Sequence, residues 1–348
     1  MASLTENNYQ APLNQRRLRK NQVTRSLLQD VHLSYKQFIQ PYFVAPQTAD
    51  HKSPLAVPGL TGTYRETPDS LLRRLVEDRE KGGVQSCLLF AVPEKKIPAR
   101  VGSSHLSSFD TDFTSSQIEA IRKEMGKDYF IAVDVCFCSH TDHGHCGILN
   151  EKGDAVVNDL TVSALAKAAL SYAKAGADCV APSDMMDGRI AAIRDILDKN
   201  GLDETLLMSY AVKFHSKFYG PFRLAADSAP KAGTEPVLIH DRATYQIDPA
   251  NRRDARNCAL RDVKEGADIL MVKPGLPYID VLSELSKEIQ KPWAVYEVSG
   301  EYAAIELMNE KGLMNGQAAH VESWTALARA GAQIIISYGA RYAKEWLK

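Results

Sequence analysis

The chain has 348 residues, of which 45% are hydrophobic and 24% are charged, a composition typical of a globular protein with one or two domains. Its 42 basic and 43 acidic residues leave a net charge of −1, so nothing in the overall charge favours nucleic acid or an anionic membrane as a partner. No apolar run is long enough to cross a membrane, the polar N-terminus lacks an apolar signal core, and six cysteines do not suggest a disulfide scaffold, so the expected setting is the reducing cytoplasm.

The first 36 residues are polar and contain no convincing strand. We interpret residues 1–36 as an N-terminal arm with one short helix predicted at Thr24–Leu33. Such an arm is either disordered or wraps around a partner subunit. Residues 37–348 are then expected to form a single catalytic domain.

From Gln40 onward, short apolar runs alternate with stretches of helical periodicity. The predicted strands are Gln40–Val44, Ser86–Phe90, Phe130–Val135, Asp178–Ala181, Leu206–Val212, Ile269–Lys273, Trp293–Ser299 and Ile334–Tyr338. The predicted helices are Ser70–Lys81, Ser115–Met125, Leu160–Lys174, Arg189–Lys199, Ala250–Lys264, Tyr278–Gln290, Glu301–Lys311, Val321–Arg329 and Ala340–Leu347. Glycines at positions 176, 266 and 331 are expected to end three of these helices.

Eight strands, each followed by a helix, predict an α/β fold closed into a (β/α)8 TIM barrel. A doubly wound open sheet is the alternative, but no G-x-G-x-x-G motif opens a helix after the first strand. In a barrel, catalytic groups lie at the carboxyl ends of the strands. The chemically active residues discussed next all fall at such positions.

Two lysines follow apolar strands in the same way. Lys273 ends the run Ile269–Lys273 before a Pro-Gly break, and Lys213 follows Leu206–Val212 before a glycine-containing loop. Burial and like-charge repulsion both lower the pKa of a lysine, and a neutral amine attacks carbonyl groups to form a Schiff base. Either residue alone could equally be a surface lysine after a strand. Together they predict a pocket for one or two carbonyl substrates.

A polar loop after the strand that carries Asp134 contains Cys136, Cys138 and Cys146. Three clustered thiolates favour zinc, and the lack of an obvious fourth cysteine suggests an open coordination position, as in catalytic zinc sites. The alternatives are a loop with chance thiols or a redox pair. Three histidines of this loop either bind the metal, support its ligands or lie at the surface: His140, His143 and His145.

A long loop from Arg223 to Ile239 has the length of an active-site lid, and Arg242 and Gln246 follow it. Two arginines on a lid clamp a substrate carboxylate, although surface ion pairs use the same residues. Ser299 and Tyr338 can donate hydrogen bonds to a second carboxylate. Alternatively, each is only a capping residue or a residue that lines the pocket wall.

Three polar residues follow the fourth predicted strand: Ser183, Asp184 and Asp187. One of the two acids is expected to hold an amine or to orient a lysine. Asp187 equally fits as the cap of the next helix.

Five motifs in this chain resemble the porphobilinogen synthase family, also called the 5-aminolevulinate dehydratases. They are the Cys136/Cys138/Cys146 loop, Ala181–Gly188, Phe218–Arg223, Met271–Pro274 and Val298–Glu301. The resemblance extends from about Arg16 to the C-terminus.

The resemblance implies an enzyme that joins two 5-aminolevulinate molecules, with loss of two waters, into the pyrrole porphobilinogen for haem and other tetrapyrroles. Lys273 and Lys213 match the family's Schiff-base lysines in the P and A substrate sites. The three cysteines match the zinc-binding form, whereas other members carry aspartates there and use magnesium. A homo-oligomer is also implied, commonly an octamer of arm-exchanging dimers.

The resemblance assigns the remaining site residues to three groups. Arg223, Arg242 and Gln246 match the clamp on the A-site carboxylate. Ser299 and Tyr338 match the groups that bind the P-site carboxylate. Asp134 and Ser183 match the contacts to the P-site amine.

Two residues depart from the family pattern. Asp142 stands where many zinc-dependent members carry serine, so we expect it to add charge near the metal or to recruit a second cation. Cys258 stands where magnesium-stimulated members carry a glutamate, so we expect allosteric magnesium binding to be weak or absent.

Two other functions are compatible with parts of the pattern. A class I aldolase also uses a strand-end lysine in a barrel, but it needs no thiolate metal site. A zinc-stabilised scaffold that assembles through its arm needs the cysteines for folding rather than for catalysis.

Overall fold

The computed structural model describes residues 15–103, 109–234 and 236–348. Within them lie ten strands: β1 Phe38–Val44, β2 Leu55–Ala56, β3 Tyr64–Glu66, β4 Ser86–Ala91, β5 Phe130–Val135, β6 Cys179–Pro182, β7 Leu206–Lys213, β8 Ile269–Lys273, β9 Trp293–Tyr296 and β10 Ile334–Ile336.

Eight of these strands, β1 and β4 to β10, form a closed parallel barrel in chain order. The ring closes where Phe38 of β1 pairs with Ile335 of β10. Alternate residues of each strand face opposite sides, so Met271 packs inside the barrel while Val272 packs under the helices. The predicted TIM barrel is therefore confirmed.

The helices surround this barrel and largely coincide with the predicted ones. They are α1 Gln22–Leu27, α2 Pro68–Gly82, α3 Asp112–Met125, α4 Asn158–Lys174, α5 Arg189–Lys199, α6 Gly220–Ala225, α7 Arg252–Lys264, α8 Ile279–Glu288, α9 Ser299–Glu310, α10 Gly316–Arg329 and α11 Ala343–Trp346. None of the helices in the described ranges is long and apolar enough to cross a membrane.

The glycines predicted to end three helices do so. Gly176, Gly266 and Gly331 follow α4, α7 and α10 with φ of 104°, 101° and 117°. Residues with a Cβ rarely adopt these angles, so glycine lets the chain leave the helix and enter the next strand within three residues.

Three features differ from the expectations. The arm helix is Gln22–Leu27 rather than Thr24–Leu33, with no buried residue. The short strands β2 and β3, which extend the sheet beside β1, were not predicted. Strands β9 and β10 end at Tyr296 and Ile336, so Ser299 begins helix α9 and Tyr338 lies two residues beyond its strand.

Candidate active site

Lys213 and Lys273 face each other at the carboxyl ends of adjacent strands. They are register partners in the pairing of β7 with β8, and both are buried, with 5% and 3% exposure. The Nζ atom of Lys213 donates a hydrogen bond to the carbonyl of Ser183, which fixes that amine against the end of β6. The structure therefore brings together the two lysines that the sequence singled out.

A β-bulge in β7 makes this pairing possible. Ser209 pairs with Leu270 and Val212 with Val272, so two residues of β7, Tyr210 and Ala211, lie opposite the single residue Met271. The extra residue reverses the inward–outward alternation, and Lys213 becomes the partner of the inward-facing Lys273.

Aromatic rings surround the amine of Lys273. Its Nζ atom lies 4.2 Å from the ring centre of Tyr296, 4.9 Å from Phe222, 5.0 Å from Tyr210 and 5.4 Å from Tyr219. Ring faces stabilise an ammonium ion, but burial and then the neighbouring Lys213 lower the pKa of Lys273 well below its ordinary value. The balance favours the neutral amine that imine formation requires.

The three cysteines of the loop after β5 form a compact thiol group. The sulfurs of Cys136, Cys138 and Cys146 all lie within 4.8 Å of one another, and their residues are buried. Hydrogen bonds from the thiols of Cys136 and Cys146 lower the pKa of Cys138 well below its ordinary value. Among the described residues, this is the only group of three or more cysteine, histidine and acidic side chains placed to hold a metal ion.

The histidines of the same loop do not join this group. His143 Nε2 lies 3.2 Å from the carbonyl of Ala99, and His145 Nδ1 lies 3.0 Å from the hydroxyl of Tyr245. His140 is buried, with no hydrogen-bond partner for either ring nitrogen within the described part of the chain. Their positions favour support of the loop rather than metal ligation.

Asp142 connects the cysteine loop to a second segment of the chain. Its Oδ2 atom accepts hydrogen bonds from the backbone N–H and the hydroxyl of Thr234, both at 2.8 Å. The carboxylate therefore joins the cysteine loop to the lid, which we define as residues 220–239 apart from residue 235. The metal-binding group among the described residues consists of the three cysteines without Asp142, and the expectation that Asp142 adds charge near the metal or recruits a second cation stays a prediction.

Other contacts also hold the lid on the cysteine loop. The hydroxyl of Ser139 donates to the carbonyl of Ala226 at 2.8 Å. The lid backbone packs so closely that a Cβ on Gly144 would lie 2.2 Å from the carbonyl oxygen of Ala229. The lid is closed over the barrel mouth in this arrangement.

Arg223 of α6 and the residues after the lid present unpaired polar groups. Within the described ranges, no carboxylate pairs with Arg223 or Arg242, and the Nε atom of each lacks a hydrogen-bond partner. Arg242 is buried and donates to the carbonyls of Gly144 at 3.0 Å and Ser228 at 2.5 Å. Both amide atoms of the buried Gln246 also lack partners among the described residues. Buried unpaired donors of this kind suit a bound anion.

Ser299 and Tyr338 each contact a residue whose ring lies near the amine of Lys273. The hydroxyl of Ser299 accepts a hydrogen bond from the N–H of Phe222 at 3.0 Å, which links it to the lid. The hydroxyl of Tyr338 lies 3.1 Å from that of Tyr296, whose ring contacts Lys273.

Asp134 lies at the end of β5, and its Oδ1 atom has no hydrogen-bond partner among the described residues. Burial first, and then the Cys138 thiolate, raise the pKa of Asp134 to about 7, although Lys213 and the Ser183 hydroxyl oppose the shift. The carboxyl of Asp134 therefore lies close to Ser183, the other predicted contact to the substrate amine, and to Lys213.

Sequence reasoning missed the aromatic enclosure and one buried acid. Tyr210 and Tyr296 occupy inward positions of their strands, so the period-two pattern was the signal that could have found them.

Glu301 accepts hydrogen bonds from the N–H groups of Gly275, Leu276 and Val298 at 3.2, 2.6 and 2.7 Å. It thus fixes the turn after Lys273 to the start of α9, and because Val298 at the N-cap offers no side-chain acceptor, the sequence shows no capping-box signature that could have found it.

Comparison with known proteins agrees with this arrangement. The family model described as delta-aminolevulinic acid dehydratase matches residues 13–346. The delta-aminolevulinic acid dehydratases of Bacillus subtilis (strain 168) and Methanothermus sociabilis are 40% and 41% identical to the chain, over 95% and 93% of it and 97% and 95% of their own lengths.

A solved structure agrees as well. The delta-aminolevulinic acid dehydratase (porphobilinogen synthase) of Toxoplasma gondii ME49, in complex with its reaction product porphobilinogen, matches with a TM-score of 0.86 and 38% identity. The match covers 95% of this chain and 90% of that one. The family predicted from five sequence motifs is therefore confirmed: the chain belongs to the delta-aminolevulinic acid dehydratase family, whose members are lyases.

Proposed function

We propose that the chain condenses two 5-aminolevulinate molecules into porphobilinogen, with loss of two waters, through imines on Lys273 and Lys213. The observation that carries the proposal is the pairing of these two buried amines, in register, at the mouth of one barrel. The family and the product bound to the Toxoplasma gondii relative support the choice of substrate.

Each substrate ketone condenses with one lysine. The neutral amine attacks the carbonyl carbon, and the carbonyl oxygen leaves as water. One carbon–carbon bond and one carbon–nitrogen bond then join the two molecules, and both lysines depart as free amines. Two waters are the only by-products, and the lowered pKa of Lys273 favours the first step.

Two sets of groups orient the substrates. Arg223, Arg242 and Gln246 carry the unpaired donors suited to the carboxylate of the molecule on Lys213. Ser299 and Tyr338 donate to the carboxylate of the molecule on Lys273.

Asp134 and Ser183 contact the amine of the molecule on Lys273. The closed lid excludes water, which strengthens each of these polar contacts and protects the imines.

The three cysteines fit a zinc ion, because three soft sulfurs lie within 4.8 Å of one another in a buried loop. Cys136, Cys138 and Cys146 would hold it. When bound, zinc supplies a Lewis acid beside the substrate amine. Since all six cysteines are free, a reducing cytoplasm is the compartment in which these thiols stay available.

A homo-octamer built through the arm is the proposed assembly. Apolar side chains of the arm are strongly exposed, with Val23 at 69% and Leu27 at 79%, and a second copy would cover them. Light scattering of the full chain, and of a form that lacks residues 1–36, measures this directly.

Incubation with 5-aminolevulinate and zinc, followed by Ehrlich's reagent, tests the overall reaction. Borohydride added during turnover should attach the substrate mass to Lys273, and active enzyme without an adduct there refutes the imine. Retained retro-aldol cleavage that no chelator affects would instead favour a class I aldolase. Loss of folding on zinc removal would favour the scaffold.

A further inference from the structure

A buried polar cluster that the proposed chemistry does not use lies outside the barrel wall, next to strands β9 and β10. We call it the Glu297 cluster, and its members are Glu297, Glu306, His320, Trp324 and Ser337. The side chains of Glu297 and His320 are fully buried, and that of Glu306 is 14% exposed.

Two carboxylates hold His320 from opposite sides of its ring. Its Nδ1 atom lies 3.2 Å from Glu297 Oε1, and its Nε2 atom lies 3.2 Å from Glu306 Oε1. Carboxylates accept hydrogen bonds, so this arrangement favours the imidazolium form, in which both ring nitrogens donate. Burial lowers the pKa of His320, but the hydrogen bonds and charges of Glu297 and Glu306 together raise it above its ordinary value.

Glu297 joins the ends of two neighbouring strands. It directly follows β9, and its Oε2 atom accepts hydrogen bonds from Ser337, which directly follows β10, at 2.5 Å and from Trp324 at 2.9 Å. The hydroxyl of Ser337 in turn accepts from the N–H of Gly339 at 3.0 Å, so the backbone is fixed on both sides of Tyr338.

A second contact connects the cluster to the barrel interior. The ring of His320 stacks on Tyr302 with centroids 4.7 Å apart, and Tyr302 packs against Tyr338 at 5.8 Å. The short segment from Glu297 to Ser299 connects β9 to the start of α9, so the bonds that hold Glu297 also hold the backbone that leads to Ser299. Both proposed carboxylate donors, Ser299 and Tyr338, therefore depend on backbone that the cluster fixes.

We propose that Glu297, paired with His320, is a positioning residue that aligns Ser299 and Tyr338 for the carboxylate of the substrate on Lys273. The inference rests on the proposed function, because it assigns those two donors to a carboxylate. It adds a buried ion pair, remote from the reacting atoms, that determines affinity for one end of the substrate.

The test compares two ketones that differ only in the carboxylate. The initial rate of borohydride trapping on the Lys273 peptide is measured against the concentration of 4-oxopentanoate and of 2-pentanone, which has a methyl group in place of the carboxylate. In Ser337→Ala, the half-saturating concentration of 4-oxopentanoate should rise about three- to tenfold, the effect of one lost hydrogen bond, while that of 2-pentanone stays unchanged. Glu297→Gln should also raise the half-saturating concentration of 4-oxopentanoate.

Ser286→Ala is the matched control, because it removes a part-buried serine hydroxyl that bonds the carbonyl of Ala330 at 3.0 Å, apart from the cluster. Ser286→Ala should change the half-saturating concentration of neither ketone. The proposal is overturned if the half-saturating concentrations of both ketones rise equally, or if neither cluster variant changes them. Either result leaves the imine chemistry intact. If the unaltered chain yields no adduct on Lys273, the proposed function falls together with this inference.

Discussion

Lys213 and Lys273 place their amines over the same aromatic ring: the two Nζ atoms lie 5.6 and 5.0 Å from the ring centre of Tyr210. One tyrosine thus borders both amines, and the charge of Lys213 helps to lower the pKa of Lys273.

Replacing Lys213 with glutamine should shift imine formation on Lys273 to higher pH. Burial is the larger cause of the lowered pKa of Lys273 and the charge of Lys213 the next, so the glutamine removes one of them. Because only the neutral amine reacts, trapping near pH 7 should slow by about tenfold for each unit that the pKa rises. The measurement is the pH profile of borohydride trapping with 4-oxopentanoate. Lys213→Arg keeps the charge and should keep the profile of the unaltered chain.

Replacing Cys138 with alanine should abolish zinc-dependent turnover while the barrel stays folded. The sulfur lies 3.4 Å from that of Cys136, so its loss leaves two thiols, too few for a tight site. Zinc content, pyrrole formation and the thermal unfolding midpoint are measured together. Cys179→Ala alters a buried cysteine away from this group and should retain zinc. Full activity of Cys138→Ala without zinc would remove the metal from the proposed mechanism.

Replacing Asp142 with alanine should loosen the lid. The change removes two hydrogen bonds to a carboxylate, which together contribute about 1–3 kcal/mol to closure. Amide hydrogen exchange in residues 226–234 should accelerate, and the KM for 5-aminolevulinate should rise. Asp142→Asn retains an acceptor for Thr234, so its exchange rates and its KM should lie closer to those of the unaltered chain. Unchanged exchange in the alanine variant would show that other contacts suffice to close the lid.

Replacing Glu301 with alanine should destabilise the turn after Lys273. The N–H groups of Gly275 and Val298, which are buried, and that of Leu276, which is part-buried, lose their acceptor, at a cost of about 1–3 kcal/mol for each buried group left unpaired. Urea unfolding measures the loss, and the rate of trapping on Lys273 should fall as well. Glu310→Ala, at an exposed position of the same helix, should change neither the stability to urea nor the rate of trapping. A variant as stable as the unaltered chain contradicts the role of Glu301.

Adding magnesium at saturating zinc should change the turnover rate by less than about twofold. Cys258 is half-buried on α7, where its thiol lies 3.9 Å from Asp254, and a thiol is a poor ligand for magnesium. Cys258→Glu introduces a carboxylate, the ligand type that magnesium prefers, and should increase the response. A severalfold rise in the unaltered chain refutes the expectation.

The strands and helices were predictable because their apolar periodicity is strong and glycine marks the helix ends. Phe130–Val135 and Ile269–Lys273 match their predicted bounds, and Gly176 ends α4 as expected. The fold then placed Lys213, Lys273 and the cysteine loop at one end of the barrel, as parallel strand ends require.

Three features of the site were not predictable in this way. The bulge at Tyr210 and Ala211 is a property of pairing with β8, and the sequence of β7 alone contains no mark of it. The bond from Asp142 to Thr234 joins positions 92 residues apart. His320 and Glu297 lie on separate elements, so their pairing appears only once α10 packs beside β9.

The one-residue bulge in β7 also bears on how a two-substrate barrel arises. With regular alternation, the residue that ends β7 would point toward the helical layer, and the pocket would contain a single amine. One extra backbone position in a single strand is therefore enough to turn a second amine into the pocket, while β8 keeps its regular alternation.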